Sequence, residues 1–474
     1  MSLSTQDIDA IVRQVVQTIQ EQKISSVATQ TAEGDWGLFD KLDDAVAAAE
    51  ESYKKINTIA IREKVVATIR KAAIQNARLL AEMAVAETGM GRVEDKIRKK
   101  ILQAEKTPGP EVLQPMAITG DIGMTLIENA PWGVIASITP STNPAATVIN
   151  NSISMASAGN SVVFAPHPGA KRVTQKAIQI LNEAIFKEVG IANILTAVKE
   201  PNLETAQALF AHPRVSLLVV TGGEAVVHAA RKHATMRLIA AGAGNPPVVV
   251  DQTANIGRAA RSIYDGASFD NNIICADEKA VVAVDSIADE LKREMCALGA
   301  VEITLEQAEK IAQLVFKNYP GPKAAADPKW VGRNASVIAE AVGLSVPEQC
   351  RLLIVDVARD VEHPFVRIEQ MMPVIPIARA KDVHEAIDWA CKIENNLHHT
   401  AGMHSTCIDN LDAMAKRINT SLFVKNGPHI AGLGAGGEGW TSMTISTPTG
   451  EGVTSARTFI RLRRCVLVDN FRIV

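Results

Sequence analysis

The spacing of apolar residues changes several times along the chain, and each change predicts a different element. The first apolar residues recur at intervals of three and four, which predicts an amphipathic helix over residues 1–22. They are Ile8, Ile11, Val12, Val15, Val16 and Ile19. Residues 23–35 are rich in Ser, Thr, Gln and Ala without periodicity, which is typical of a linker. Such a short helix needs a surface for its apolar face, either on this chain's own body or on another protein.

Helical spacing returns between Leu38 and Lys106, where Ala-rich segments carry charged faces. The predicted helices are Lys41–Lys55, Ile59–Thr88 and Arg92–Glu105, interrupted by Gly89 and Gly91. Pro108–Gly109–Pro110 ends this block, and Met124–Glu128 then predicts one arm of a strand hairpin.

From Val134 onward, short apolar runs alternate with helical segments, which is typical of doubly wound parallel sheets. The strands predicted in the first block are Val134–Ile138, Ser161–Ala165, Ile194–Val198, Val215–Val220 and Leu238–Ala240, with helices at 145–158, 171–188, 203–211 and 224–233. The strands predicted in the second block are Val281–Val284, Leu352–Val357, Val374–Ala378, Gly402–Cys407 and Leu422–Lys425. A glycine-rich turn follows at Gly432–Gly439, and the tail Thr458–Val474 is β-rich. Long terminal strands of this kind often complete a sheet in a partner subunit.

The composition of the chain argues against several classes of function. A chain of 474 residues predicts two or three domains, and a net charge of −3 does not favour nucleic acid or an anionic membrane as partner. No apolar run approaches the ~20 residues of a membrane span, and the N-terminus lacks the order of a secretion signal. The six cysteines, at 275, 296, 350, 391, 407 and 465, form no CxxC pair, which argues against structural zinc and disulfides. His398, His399 and His404 have no metal-ligand spacing, so we interpret them as cleft-edge or packing residues, and we expect no metal site.

Cys275 is the strongest candidate for chemistry. It follows an Asn-rich turn within Gly266–Lys279 and precedes a predicted strand, so we expect its thiol to be exposed in a cleft rather than packed. Cysteine needs less activation than a hydroxyl to attack an electrophilic carbon. A buried structural cysteine is the alternative.

Further candidates lie where strands end. Asn143, in the segment Thr139–Pro144, could donate to an oxyanion or simply cap the next helix. The backbone of Thr221–Gly223 suits a phosphate at a helix start, although the usual G-x-G-x-x-G fingerprint is missing. Ala240–Pro247 is almost free of side chains and could let a bulky ligand approach. Glu369 enters a strand, where it could hold a ribose or remain a solvated charge.

Together these motifs resemble the aldehyde dehydrogenase superfamily, specifically its CoA-acylating branch, and most closely the propionaldehyde and acetaldehyde dehydrogenases of bacterial microcompartments. The resemblance runs in order from about residue 35 to the end. It is carried by Glu87–Gly91, Thr139–Pro144, Ser161–Pro168, Thr221–Gly223, Phe269–Cys275, Glu369–Val374 and Gly436–Trp440. Residues 1–22 are similar to the encapsulation peptides that take such enzymes into a shell.

The resemblance implies roles for individual residues. Cys275 is the nucleophile, and Asn143 with the backbone N–H of Cys275 forms the oxyanion hole. Glu369 binds a ribose of NAD. The remaining residues implied at the cofactor are Thr139, Pro140, Ser141, Thr142, Pro166, His167, Thr221, Gly222, Gly223, Ala241, Gly242, Met371 and Pro373.

Two departures from the hydrolytic members of the superfamily bear on the expected acyl acceptor and cofactor. Where those members carry the glutamate that activates water, this chain has Ala241–Asn245, so no carboxylate is available there as a base. A thiol acceptor needs that base far less than water does, which favours coenzyme A, and the emptied space could admit its pantetheine arm. At Ala165 those members usually have a lysine near the adenosine ribose, which favours NAD over NADP.

The resemblance therefore implies an α/β, aldehyde dehydrogenase-like fold. We expect a dinucleotide- and CoA-binding domain over 36–112 and 133–240, a catalytic thiol domain over 241–430, and a β oligomerisation element from 113–132 and 440–474. The implied reaction converts a short aliphatic aldehyde, CoA and NAD to acyl-CoA. We expect a homodimer or homotetramer in the lumen of a bacterial microcompartment, docked through residues 1–22 to a shell protein or another encapsulated enzyme. The alternatives are a hydrolytic aldehyde dehydrogenase, a catalytically silent scaffold and a nucleotide-binding regulator.

Overall fold

Two parallel β-sheets, each with apolar clusters on both faces, form the body of the chain. A computed structural model describes residues 35–321 and 323–473, so the predicted helix at 1–22 and all but the last residue of the linker lie outside the described residues. No helix among the described residues is both long and apolar enough to cross a membrane. Strands and α-helices are numbered below in chain order.

The first sheet has six strands, and all of its pairs are parallel. They are β1 (Leu38–Phe39), β4 (Val134–Ile138), β5 (Ser161–Ala165), β6 (Leu195–Val198), β7 (Leu217–Thr221) and β8 (Arg237–Ala241). Their spatial order is β1-β6-β5-β4-β7-β8, so the strand order reverses between β4 and β7. Val162 and Phe164 pack into one apolar cluster while Val163 and Ala165 pack into another, because successive side chains point to opposite faces.

The second sheet has seven parallel strands in the order β11-β14-β15-β10-β9-β16-β17. They are β9 (Pro247–Val250), β10 (Ala280–Val284), β11 (Val301–Ile303), β14 (Leu353–Ala358), β15 (Val374–Ala380), β16 (Thr400–His404) and β17 (Leu422–Lys425). Two further apolar clusters cover its faces. The predicted fold class is confirmed.

Fifteen α-helices lie within the described part of the chain. The first eight are α1 (Leu42–Tyr53), α2 (Ile59–Gln75), α3 (Ala77–Thr88), α4 (Val93–Lys106), α5 (Pro144–Ser157), α6 (Lys171–Val189), α7 (Leu203–Leu209) and α8 (Glu224–His233). The others are α9 (Ile256–Ser268), α10 (Asp285–Ala297), α11 (Leu305–Val315), α12 (Ala335–Glu340), α13 (Pro364–Arg367), α14 (Val383–Glu394) and α15 (Ile408–Ile418).

Two sequence predictions of local structure are wrong. Ile59–Thr88 is two helices rather than one, because Asn76 leaves the helical conformation and its side-chain Nδ2 donates to the Ala72 carbonyl at 2.8 Å. The strand predicted at Gly402–Cys407 ends at His404. Ser405 and Cys407 turn away there, because the Ser405 hydroxyl donates to buried Asp251 at 2.6 Å and the Cys407 N–H donates to Thr253 at 3.2 Å.

A third, antiparallel sheet joins the middle of the chain to its tail. It consists of β2 (Met116–Gly120), β3 (Gly123–Pro131) and β20 (Ile460–Val468), with β3 in the centre. The tail therefore completes a sheet of its own chain. Two-stranded pairs are formed by β12 (Phe316–Lys317) with β13 (Ala325–Ala326) and by β18 (Ile445–Ser446) with β19 (Gly452–Val453).

Candidate active site

The loop that carries Cys275 runs from the end of α9 to the start of β10. Three consecutive residues in it, Asp270, Asn271 and Asn272, have positive φ angles of 46°, 57° and 65°. Asn and Asp tolerate this left-handed conformation better than other residues with a side chain. Asn272 Nδ2 donates to the carbonyls of Ala267 at 2.9 Å and Glu278 at 2.8 Å, which ties the two ends of the loop together.

A buried lysine holds the same loop from inside. Lys279 Nζ donates to the Asn272 carbonyl at 2.7 Å, to Asn272 Oδ1 at 2.6 Å and to the Ile274 carbonyl at 3.1 Å. Asp277 accepts the Ile274 N–H at 3.1 Å. Burial raises the pKa of Asp277 to about 7. The Asn-rich turn is therefore a rigid support for the residue that follows it.

The thiol of Cys275 is half-buried rather than exposed, which corrects the expectation from sequence. It packs against an apolar cluster that includes Ile274, Ile430 and Met443. Burial and, after it, the charge of Glu369 raise the thiol pKa to about 12, against an opposing effect of Lys279. In this state the thiol keeps its proton at neutral pH.

Asn143 precedes α5, but its side chain does not cap the helix. Its Oδ1 accepts a hydrogen bond from Lys99, and its Nδ2 donates to Thr142 Oγ1 at 3.3 Å. Ala146, in the first turn of α5, belongs to the apolar cluster that contacts Cys275. The start of α5 therefore packs beside Cys275, and the helix-cap interpretation of Asn143 is wrong.

The other cofactor candidates from the first sheet lie at the carboxyl ends of its strands. Because β4 pairs with β7, the segments Thr139–Asn143 and Thr221–Gly223 leave neighbouring strands at the point where strand order reverses. Open α/β sheets bind their ligands at such a point. The buried Thr139 donates its N–H to the Ala165 carbonyl at 3.1 Å, while Pro140, Ser141 and Thr142 are half-buried.

Thr221 and the two glycines after it differ in their contacts and in the space around them. The Thr221 hydroxyl is hydrogen-bonded to Thr444 at 2.8 Å. Gly223 precedes α8 without any side-chain cap, and a Cβ added to it would meet nothing within 4 Å. The backbone before α8 therefore borders open space at Gly223, and a helix start of this kind suits a dinucleotide phosphate.

The remaining candidates lie in different settings. His167 is exposed and its Nδ1 accepts the Gly169 N–H at 3.0 Å, while Pro166 is buried beside it. In the second sheet, Met371 is half-buried with a φ of 49° and Pro373 is buried, its carbonyl accepting the Leu353 N–H at 2.9 Å.

Glu369 contacts the segment Ala241–Asn245, which contains no carboxylate. Its Oε1 accepts the Gly244 N–H at 3.2 Å, and burial raises its pKa to about 7. Ala241–Asn245 contains no carboxylate, as expected from the sequence, but Glu369 places one against Gly244 from more than a hundred positions away. Ala241 is buried, and the Pro448 ring lies 2.9 Å from the position of a Cβ on Gly242, so the space expected beside Gly242 is bounded by that ring.

His399 borders the same segment and was interpreted from sequence only as a cleft-edge or packing residue. A Cβ added to Gly244 would lie 2.7 Å from the Cys275 carbonyl oxygen and 2.8 Å from the His399 ring, so Gly244 contacts both. His399 Nδ1 is hydrogen-bonded to Thr400 at 2.9 Å, and its buried Nε2 has no partner among the described residues. Burial lowers its pKa to about 3, so the ring is neutral.

The charged face predicted for the helix Arg92–Glu105 is buried in α4 rather than solvated. Lys96, Lys99 and Lys100 are only 1–2% exposed. Their spacing of three and four places them on one helical face together with Gln103, which is the only sequence signal for them. No group of three or more His, Cys, Asp or Glu residues in the described ranges could hold a metal ion.

Comparison with known proteins identifies the family. Residues 11–309 match the aldehyde dehydrogenase family. An acetylating acetaldehyde dehydrogenase of Bilophila wadsworthia is 66% identical, with 100% of both chains covered. A CoA-propanoylating propanal dehydrogenase of Salmonella typhimurium is 42% identical over 99% of this chain and 100% of the relative.

A solved structure of a CoA-acylating enzyme is also similar to this chain. The propionaldehyde dehydrogenase of Rhodopseudomonas palustris, with bound CoA and an acylated cysteine, is 44% identical and superimposes with a TM-score of 0.88 over 91% of this chain and 98% of that chain. The resemblance to CoA-acylating enzymes is therefore confirmed, and the chain belongs to the aldehyde dehydrogenase family.

Proposed function

We propose that this chain is a CoA-acylating aldehyde dehydrogenase that converts propionaldehyde or acetaldehyde, CoA and NAD to acyl-CoA, NADH and a proton. The observation that carries the proposal is the position of Cys275, which shares an apolar cluster with Ala146 of α5 and lies beside Gly244 in the segment Ala241–Asn245, which holds no carboxylate of its own. The relatives named above act on the same two aldehydes and support this choice.

The chemistry begins at Cys275, whose thiol releases its proton to solvent and whose sulfur then attacks the aldehyde carbon, forming the alkoxide of a thiohemiacetal. Asn143 Nδ2 donates to the oxyanion that develops on the aldehyde oxygen. Thr139–Asn143 and Thr221–Gly223 would hold the dinucleotide, and a bound nicotinamide would accept hydride from the thiohemiacetal carbon. The acyl group then remains on Cys275 as a thioester.

Release of the acyl group requires a second nucleophile. The CoA thiol attacks the thioester carbon, its sulfur takes the acyl group, and the Cys275 sulfur leaves. We assign the proton of the CoA thiol to His399 Nε2, which has no partner among the described residues and is an acceptor in the tautomer whose Nδ1–H donates to Thr400. A thiol, with a pKa of about 8.5, gives up its proton far more easily than water does, although the pKa of about 3 makes the buried His399 ring a weak base.

The test compares NADH formation from C2 to C4 aldehydes with and without CoA. We expect turnover to require CoA and to be lost in Cys275→Ala, while the exposed-thiol control Cys465→Ala retains it. NADH formation that is equally fast without CoA would instead establish the hydrolytic alternative. Parental activity in Cys275→Ala would establish the scaffold alternative.

NAD is the proposed cofactor because Ala165 supplies no cation for a 2′-phosphate. Ala165 is buried at the end of β5, and its carbonyl accepts the Thr139 N–H. The ratio of kcat/KM for NAD to that for NADP tests the proposal, and a ratio below one would overturn it.

The three-stranded sheet is the proposed oligomerisation element of a homodimer or homotetramer. Directly paired residues share a face, so Ile118, Thr125 and Val466 form one row across the sheet. Ile118 and Val466 are 56% and 61% exposed, an apolar face that a second copy would cover. We expect Val466→Glu to reduce the molar mass measured by light scattering, while Arg463→Glu on the opposite face does not. Parental mass in Val466→Glu would contradict this role.

Residues 1–22 are proposed to carry the enzyme into the lumen of a bacterial microcompartment by binding a shell protein or another encapsulated enzyme. A related propionaldehyde dehydrogenase of a Clostridium phytofermentans microcompartment is 43% identical and has a TM-score of 0.89, which supports the setting. Deleting 1–22 is expected to abolish co-purification with shell proteins and to leave turnover nearly unchanged. A large loss of turnover would favour docking on the chain's own body.

A further inference from the structure

The buried face of α4 is polar, which is unusual because a helix normally buries its apolar residues. Lys96, Lys99 and Lys100 are 1–2% exposed, and Asp95 and Gln103 are buried beside them. Ammonium groups removed from water are costly unless they are paired and hydrogen-bonded. The partners of these lysines therefore indicate what the buried face does.

Lys99 pairs with both loops of the candidate active site. Its Nζ donates to Asn143 Oδ1, in the loop after β4 of the first sheet, and to Asp270 Oδ2, in the loop that carries Cys275. Lys96 spans the same gap, because its Nζ donates to Asp270 Oδ2 at 3.1 Å and to the Thr142 carbonyl at 3.3 Å. The two loops are thus connected through the side chains of one helix.

Asp270 is the anion that balances these cations. Burial alone would raise its pKa, but Lys96 and Lys99 outweigh that effect and lower it. Asp270 Oδ1 also accepts the Arg92 N–H at 2.8 Å, so both carboxylate oxygens are used. Lys100 differs from its neighbours, because its Nζ donates only to the Lys96 carbonyl, at 3.4 Å, within the described residues.

The contact with Lys99 fixes the orientation of the Asn143 side-chain amide. A cation that donates to Oδ1 would repel the Nδ2 group if the amide flipped, since both would then be donors. The Nδ2 group is left with one long hydrogen bond, to Thr142 Oγ1 at 3.3 Å. It is therefore available to an oxyanion in the cleft.

We propose that Lys99 is a positioning residue that bridges Asp270 and Asn143, orients the Asn143 amide and sets the separation of the oxyanion donor from the Cys275 loop. This inference rests on the oxyanion role proposed above for Asn143. Lys99 has no contact with the reacting atoms in this arrangement and acts through Asn143.

The decisive experiment is a double-mutant cycle with Lys99→Met and Asn143→Ala, measured as kcat and KM for propionaldehyde. Asp270 keeps Lys96 as a partner in Lys99→Met, so we expect a folded protein. We expect Lys99→Met to lower kcat about 10- to 100-fold with a KM change below about threefold, because the lost interaction acts on the transition state. In the Asn143→Ala background it should lower kcat by less than about threefold.

The matched control is Lys100→Met, which removes a neighbouring buried lysine without touching Asn143 or Asp270, and its kcat should stay within about twofold of the parent. Thermal unfolding checks each variant, and Lys99→Gln replaces Lys99→Met in the cycle if the latter does not fold. If Asn143→Ala keeps full kcat, the oxyanion role itself fails. If Asn143→Ala is impaired but Lys99→Met lowers kcat equally in both backgrounds, the oxyanion role stands and positioning by Lys99 is overturned.

Discussion

Replacing Glu369 by Gln is expected to make the Cys275 thiol more reactive, and only above about pH 7. The carboxylate and the thiol share the cleft, and the negative charge of Glu369 is the second cause, after burial, of the raised thiol pKa. Glu369 itself has a pKa raised to about 7 by burial. It is therefore largely neutral at pH 6 and largely ionised at pH 8.

The magnitude follows from these two values. With a thiol pKa of about 12, the thiolate fraction at pH 8 is about 10⁻⁴, and each unit of pKa changes that fraction tenfold. One like charge nearby raises a pKa by about one unit or more. At pH 8 the variant should therefore form about ten times more thiolate than the parent, whereas at pH 6 the two should be nearly equal.

The assay is the rate of Cys275 alkylation by iodoacetamide in the free protein, followed by peptide mass spectrometry. The exposed Cys465 in the same samples reports on the reagent. The ratio of variant to parent rates should rise from about one at pH 6 to about ten at pH 8. A ratio that stays constant with pH, or a variant slower than the parent, would refute the electrostatic coupling of the two groups.

Three further predictions concern stability. Gly244→Ala should lower the unfolding free energy by about 1–3 kcal/mol, because its Cβ would collide with the Cys275 carbonyl. The control Gly120→Ala should leave the unfolding free energy unchanged, because a Cβ there meets no atom within 4 Å, and thermal unfolding compares the two variants. Asp251→Ala should cost about 3 kcal/mol in urea unfolding, since Ser405 and Asn410 would lose a buried acceptor; an unchanged midpoint would contradict this. Burial raises the Glu278 pKa to about 8, so ionisation of this carboxyl destabilises the folded state as pH rises from about 5 to 8. Glu278→Gln should therefore gain Tm relative to the parent across that window, and a constant difference would count against it.

The sheets could be predicted because their strands are buried on both faces. Largely apolar runs such as Val134–Ile138 and Ser161–Ala165 mark a strand without any tertiary information, and their observed bounds match the prediction. The helix break at Asn76 was missed because Asn is compatible with either a helix or a cap. Whether the helix continues or ends at Asn76 depends on a hydrogen bond to Ala72, which the apolar pattern does not encode.

The electrostatics of the site could not be predicted, because each group depends on a distant one. Lys96 and Asp270 are 174 residues apart, so the charged face of α4 could not be distinguished from a solvated one. The thiol of Cys275 was expected to be exposed for the same reason. Apolar residues such as Ile430 and Met443 bury the thiol, and this burial together with the charge of Glu369 raises its pKa. Only the fold brings these residues close to Cys275.

The left-handed run at Asp270–Asn272 limits how the enzyme can be redesigned. Glycine satisfies those φ angles but would lose the side-chain contacts that Asp270 and Asn272 make, and β-branched residues would be strained there. A saturation library over these three positions should therefore return almost only the parental residues among active clones. Variation aimed at a different aldehyde belongs instead on the apolar wall at Ile430 and Met443, where side-chain size can change without altering the backbone of the loop.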